Sequence, residues 1–143
     1  KLFRKIPLIY SSQKYKALAF NWKIKFNESS QIPAFTNYFS ELNHNELMGF
    51  LNHELAKNFF ALILKSDDDH PQIRKRMDLT AQIFTEKDIN NEIIKIEGVD
   101  IFEKVLVTSI LGDWVSFHLA QLYKVDPTSS AFIEEFKKRL EQS

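Results

Sequence analysis

Phe59-Phe60-Ala61-Leu62-Ile63-Leu64 is an uninterrupted apolar run, preceded by Lys57-Asn58 and followed closely by the acidic triplet Asp67-Asp68-Asp69. A strand with one solvated face alternates apolar and polar residues; a strand apolar on both faces belongs inside a parallel sheet covered by helices. Both flanks of the run predict such helices. Ahead of it, Asn43-His44-Asn45-Glu46 reads as a helix start, with Asn43 as N-cap and Glu46 closing a capping box. Leu47, Phe50, Leu51 and Leu55 then form an apolar stripe. Behind it, the acidic cluster Asp67-Asp68-Asp69-His70-Pro71 is placed to cap a helix carrying Ile73, Met77, Ala81 and Phe84.

Farther out, the same alternation continues. Ile6-Pro7-Leu8-Ile9-Tyr10 predicts a buried strand ended by Ser11-Ser12, with Pro7 near its start. Ser12 caps a helix with Tyr15, Leu18, Ala19, Trp22 and Phe26 on one face, which runs out near Asn27-Glu28-Ser29-Ser30. Ala34 to Phe39 is a short extended segment, and Ile93-Ile94-Lys95-Ile96, closed by Gly98, is another strand. A long helix is expected from about Ile101 to Tyr123, with Phe102, Val105, Leu106, Ser109, Ile110, Asp113, Trp114, Phe117 and Leu122 on helical spacing. Trp114 and Phe117, like Leu47, Phe50 and Leu51, fit a core better than an interface. Val125-Asp126-Pro127 stops that helix, and Ser129 or Ser130 opens a last one with Ile133, Phe136 and Leu140 inward. Strands alternating with helices predict βαβ units, a mainly parallel sheet and helices on both faces: the α/β class.

Composition narrows the function. The chain has 143 residues, a length one core can serve, and its 19 Lys+Arg balance 19 Asp+Glu. Zero net charge lacks the basic excess of a general nucleic-acid binder. No apolar run approaches the roughly 20 residues that span a bilayer. Absence of cysteine excludes disulfides, thiolate nucleophiles and Cys-ligated zinc. The isolated glycines Gly49, Gly98 and Gly112 form neither a dinucleotide-binding nor a P-loop signature. The start at Lys1, without an initiator Met, suggests a piece of a longer chain.

Four side chains stand out as candidate chemistry. Glu28 falls at a helix C-terminus, where a carboxylate meets the negative end of the dipole, a setting suited to proton abstraction. The plainer alternative is a solvated surface glutamate. His44, just inside the predicted helix N-terminus, meets the positive dipole end, which favours a neutral imidazole able to accept and donate a proton. The alternative there is an exposed first-turn histidine. Lys137 shares the predicted inward face of the last helix with Ile133 and Leu140, so it either snorkels to solvent or meets an anion. Ser130 lies two turns earlier on that face. His53, His70 and His118 make no metal-ligand pair, and His53-Glu54-Leu55 is not the start of an HExxH motif.

The motifs themselves carry a resemblance. Phe26-Asn27-Glu28, Ile32-Pro33-Ala34-Phe35, Glu41-Leu42-Asn43-His44-Asn45-Glu46, Asp68-Asp69-His70-Pro71, Ile110-Leu111-Gly112-Asp113-Trp114-Val115-Ser116, Val125-Asp126-Pro127 and Phe136-Lys137 follow one another in order. Across essentially the whole chain they resemble the C-terminal half of the bifunctional phosphoglucose/phosphomannose isomerase family.

The resemblance implies one C-terminal SIS (sugar isomerase) domain over residues 1–143, a three-layer αβα, flavodoxin-like sandwich, whose N-terminal SIS companion lies outside this chain. It implies a cytoplasmic dimer, with no part for nucleic acid or membrane, that converts glucose 6-phosphate or mannose 6-phosphate to fructose 6-phosphate through a cis-enediol. Neither metal nor organic cofactor is required. Glu28 would move the proton between C1 and C2. His44 would open the sugar ring in the partner subunit's site, and Lys137 would position substrate or stabilise charge near the ring oxygen. Ser130 stands where the family often has threonine, at a place associated with tolerance of both C2 epimers. The family's Ser/Thr-rich phosphate loop and its arginine belong to the first SIS domain, so this chain alone is expected to show little or no turnover. The rival reading is a non-catalytic SIS domain that binds sugar phosphate or mediates dimerisation; a degenerate fragment kept as scaffold is a third.

Overall fold

The computed structural model describes residues 1–142. Its centre is a four-stranded sheet of β1 (Ile6–Ser12), β2 (Phe35–Phe39), β3 (Phe59–Ser66) and β4 (Asn90–Ile96), in the order β2-β1-β3-β4. Every pair is parallel, as the doubly apolar run at 59–64 predicts. Side chains of β3 alternate between two cores. Ala61 and Ile63 face one, with Phe39, Leu42, Phe50, Met77 and Phe84. Phe60, Leu62 and Leu64 face the other, with Leu18, Trp22, Phe26 and Leu119. Helices α1 (Lys16–Glu28) and α6 (Ile101–Tyr123) cover that second face. The first face is covered by α5 (Pro71–Glu86) and three single turns, α2 (Glu41–His44), α3 (Glu46–Gly49) and α4 (His53–Ala56). The expected αβα sandwich is the fold.

Pro7 is tolerated in the central strand because of where its missing N–H would point. Ile6 donates its N–H toward β3, at 2.8 Å to the Asn58 carbonyl, so the alternation turns the Pro7 nitrogen toward β2. That ladder begins only at Leu8, opposite Phe35.

Four expectations need correction. The continuous helix predicted after Asn43 is broken into α2, α3 and α4, and Leu51 and Leu55 are exposed. The capping box does not form: Glu46 bonds Tyr10 and Asn37, Asn43 bonds Thr80, and the side-chain cap in this region is Asn52, on α4. The acidic triplet does not cap α5 either; His70 does, its Nδ1 accepting the Gln72 N–H at 3.2 Å with Pro71 following. Finally, Ser11 and Ser12 complete β1 instead of ending it, both buried, and Ser12 makes no side-chain cap bond.

The long helix has its expected limits but the opposite facing. α6 buries the small residues Thr108, Gly112, Ser116 and Ala120, together with Leu119, while Leu106, Ile110, Trp114 and Phe117 face outward. The reason is close approach to α1. Trp22 lies across Gly112 and donates its indole N–H to the Thr108 carbonyl at 2.8 Å; a Cβ on Gly112 would sit 2.7 Å from the Trp22 Nε1. By length and mean hydropathy (1.3) α6 is apolar enough to cross a bilayer. Within the fold, 28% of that apolar stretch is buried, and its small-residue side packs against α1 and the sheet. α7 (Ala131–Glu141) has no buried residue, so its stripe of Ile133, Phe136 and Leu140 is exposed rather than inward.

Candidate functional site

Chain direction decides where each candidate side chain lies. β1 delivers the chain to the carboxyl edge of the sheet at Ser12, and α1 carries it back to the amino edge, where β2 begins. Thirteen helical residues rise about 20 Å, roughly the length of a strand. Glu28, the last residue of α1, therefore stands exposed at the amino edge. β2 then crosses to the carboxyl edge, and His44 follows it within one turn of helix. The two candidate proton-transfer residues of one chain are at opposite ends of the sheet.

Around Glu28 the loop is bolted down. Ser30, buried, donates its hydroxyl to the Ser116 carbonyl of α6 at 2.8 Å, and the Asn27 amide reaches the Ile32 carbonyl at 2.9 Å. The Gln31 amide donates to the Asp126 carbonyl at 2.9 Å, which ties this loop to the segment leading into α7. The Thr128 backbone N–H, then its hydroxyl, holds the Asp126 carboxyl below its ordinary range. Four residues on, Ser130 is the N-cap residue of α7 but makes no side-chain cap bond. Glu28 and the approach to Ser130 thus share the amino edge.

Lys137 corrects an expectation. It does not face inward: its Nζ pairs with Glu134 at 2.8 Å on the exposed surface of α7, the lysine side chain 59% exposed. An i,i+3 pair of this kind contributes little and is easily exchanged for another anion.

His44 is corrected as well. It ends the four-residue turn α2 instead of lying inside the start of a longer helix. Its side chain is exposed and makes no hydrogen bond among the described residues. Its neighbours are held firmly. Tyr10, fully buried, donates its phenol to Glu46 Oε1 at 2.6 Å, and the Asn37 amide donates to Glu46 Oε2, also at 2.6 Å. Burial, then the charge and hydrogen bond of Glu46, push the Tyr10 phenol far above its ordinary value, so it stays a donor. On the other side of the histidine, the Asn43 amide donates to the Thr80 hydroxyl at 2.9 Å.

The crevice between the carboxyl ends of β1 and β3, where open α/β sheets commonly bind ligands, holds an internal ion cluster. Asp68 accepts from Lys14 Nζ at 2.8 Å, Lys104 Nζ at 3.0 Å and the Tyr15 phenol at 3.0 Å. Asp69 Oδ2 accepts the Ser66 N–H at 2.9 Å. The sequence marks Asp68 and Asp69 only as a helix start and a motif, and Tyr15 only as core-facing; Lys14 and Lys104 do not stand out at all, because the partners lie far apart along the chain. His118 stacks on Trp114, 5.7 Å between centroids, inside an exposed aromatic group with Phe117. Two depressions, of ≈390 Å³ beside Phe20 and Tyr38 and ≈370 Å³ beside Phe50 and Lys87, contain none of Glu28, His44, Ser130 or Lys137. Among the described residues no cluster of three or more His, Asp or Glu side chains is arranged to hold a metal ion.

Known proteins place this geometry in context. The family described as bacterial phospho-glucose isomerase C-terminal SIS domain matches residues 1–140. A bifunctional phosphoglucose/phosphomannose isomerase of Thermoplasma acidophilum is 36% identical over 137 residues, 96% of this chain and 43% of that protein. One from Aquifex aeolicus is 34% identical over 142 residues, covering 99% and 44%. The chain therefore spans less than half the length of the relatives it matches. Among solved structures, a glucose-6-phosphate isomerase-like protein of Thermus thermophilus superposes with a TM-score of 0.74 at 21% identity, over 92% of this chain and 44% of the other. The C-terminal domain of a Francisella tularensis glucosamine-fructose-6-phosphate aminotransferase gives 0.67 at 17% identity, over 87% and 38%. At such identities these last two establish a shared fold.

Proposed function

The chain belongs to the bacterial phospho-glucose isomerase C-terminal SIS domain family, and on that premise we propose that it is the proton-transfer half of a sugar-phosphate aldose–ketose isomerase. In this reading the protein interconverts glucose 6-phosphate or mannose 6-phosphate with fructose 6-phosphate, and a preceding SIS domain supplies the phosphate cradle. The observation that carries it is the match at 34–36% identity, over nearly the whole chain, to relatives named bifunctional phosphoglucose/phosphomannose isomerase.

The chemistry is proton transfer at a positioned site. Glu28 takes the proton from C2 of the open-chain aldose and returns it to C1, the electron pair passing through a cis-enediol. His44 shuttles the proton that opens the ring. Lys137 exchanges Glu134 for the substrate's developing negative charge. Ser130, a small hydroxyl at the same edge as Glu28, leaves room for the C2–C3 rotation that both epimers require.

Geometry supports a divided site. Glu28 and His44 of one chain stand at opposite sheet edges, so the histidine serves the site of a second copy in a homodimer. At the crevice of this sheet Lys14 and Lys104 are paired with Asp68, and in this reading substrate phosphate is held by the other domain. The outward apolar stripes of α6 and α7 offer that domain its seat. A soluble, cytoplasmic setting follows from the substrate.

Full-length protein carrying Glu28→Gln is expected to keep its fold and lose about 10²–10⁴-fold in kcat, read in a coupled assay of fructose 6-phosphate formation. A loss under threefold would remove Glu28 as the base. Sugar-phosphate binding without turnover by the unmodified full-length protein would favour a sensing domain instead.

A further inference from the structure

The segment that carries His44 has little of its own to hold it in place. α2, α3 and α4 are single turns, far below the roughly 12 residues at which an isolated helix becomes even marginal. Between Glu41 and Ala56 only Leu42, Phe50 and Ala56 are buried. Order must come from side-chain ties, and these concentrate on either side of the histidine. Tyr10 and Asn37 are direct register partners on β1 and β2. Tyr10 is on the inner strand β1 and Asn37 in the middle of the edge strand β2, and together they grip both oxygens of Glu46, two residues after His44. The Asn43–Thr80 bond fixes the residue before it to α5, and Thr80 is itself buried.

Taking a carboxylate out of water is costly unless its lone pairs are met, and satisfied networks of this type specify geometry. What this one presents is an exposed imidazole with no partner among the described residues.

We propose that Tyr10, Asn37 and Glu46 form a clamp that, with Asn43 and Thr80, positions His44 for chemistry outside its own domain. They act as positioning residues that do not touch substrate. The proposal rests on the reading in which His44 takes part in sugar-phosphate isomerisation, so its test must separate the two.

A double-mutant cycle in the full-length protein does so. Tyr10→Phe keeps the ring and removes the bond to Glu46; His44→Asn removes the imidazole. Tyr10→Phe is expected to lower kcat about tenfold in the native background with KM nearly unchanged, and to cost nothing further in the His44→Asn background. Equal losses in both backgrounds would mean that Tyr10 acts only through general stability, and would overturn the proposal. So would no loss in either. If His44→Asn alone leaves kcat unchanged, the role of His44 falls, and the clamp's catalytic purpose with it. Asn37→Ser, which loosens the other oxygen of Glu46 at a half-buried position, repeats the cycle should Tyr10→Phe fail to fold.

Discussion

Two lysines and a tyrosine converge on the Asp68 carboxylate, and its titration follows. The hydrogen bond from Lys14 foremost, with those from Ser66, Lys104 and Tyr15, holds Asp68 well below the usual carboxylate range against the opposing effect of burial. An unfolded aspartate titrates near about 3.9. Because the folded value is lower, the cluster's contribution to stability is complete above about pH 5 and is lost as pH falls toward the folded value. The side chain is 37% exposed, so solvent screening keeps that contribution small. NMR titration should place the Asp68 midpoint below that of unpaired carboxylates, and Asp68→Asn should flatten the fall of Tm below about pH 4. Identical Tm profiles for the two proteins would refute this account of the cluster. The neighbours divide the work: Asp67 is 97% exposed, Asp69 accepts the Ser66 N–H, and His70 caps α5. In sequence the triplet reads only as a helix start, because Lys14 and Lys104 come from other elements. The pattern Asn43…Glu46 misleads for the same reason: local spacing fits a capping box, but Tyr10 and Asn37 compete for the carboxylate and win it.

At the scale of the element, α6 separates what periodicity reveals from what it does not. Its limits, Ile101 to Tyr123, are legible from the continuous apolar spacing and the Val125-Asp126-Pro127 stop; the Asp100 cap is added by the structure. Its facing is not. A helix apolar on all sides has no preferred stripe, and the inner face is chosen by small residues that admit Trp22. Gly112→Ala tests that choice directly, since the added methyl carbon meets the indole at 2.7 Å. Overpacking of this kind should destabilise the protein by about 1–3 kcal/mol in denaturant titration. An unchanged unfolding midpoint would show that the α1–α6 contact is looser than the Trp22–Thr108 bond implies. α7 carries the same lesson. Pattern alone assigns its stripe of Ile133, Phe136 and Leu140 to a core, and Lys137 with it, but nothing among the described residues covers that helix. The presence of each strand, by contrast, is legible, most plainly in the doubly apolar run 59–64, but the polar ends are not: β1 continues through Ser12 and β4 already begins at Asn90.

For the molecule as a whole, the proposed function has this domain supply parts to two active sites. Motifs name Glu28, His44, Ser130 and Lys137 one at a time; the sheet determines which of them one chain can unite. Glu28 and the approach to Ser130 share the amino edge, tied by the Gln31–Asp126 bond, whereas His44 stands at the carboxyl edge on its clamped turn. Under the proposed reading, a symmetric dimer resolves the separation by pairing each Glu28 with the partner's histidine. The most direct measurement mixes two severely impaired full-length variants, Glu28→Gln and His44→Asn, allows their subunits to exchange, and assays isomerisation. Heterodimers then hold one site with both defects and one with neither, so activity should return to about a quarter of the native level at equal mixing. If the mixture stays as impaired as its components after exchange is verified, both residues serve the same site of one chain, and the divided-site account is wrong.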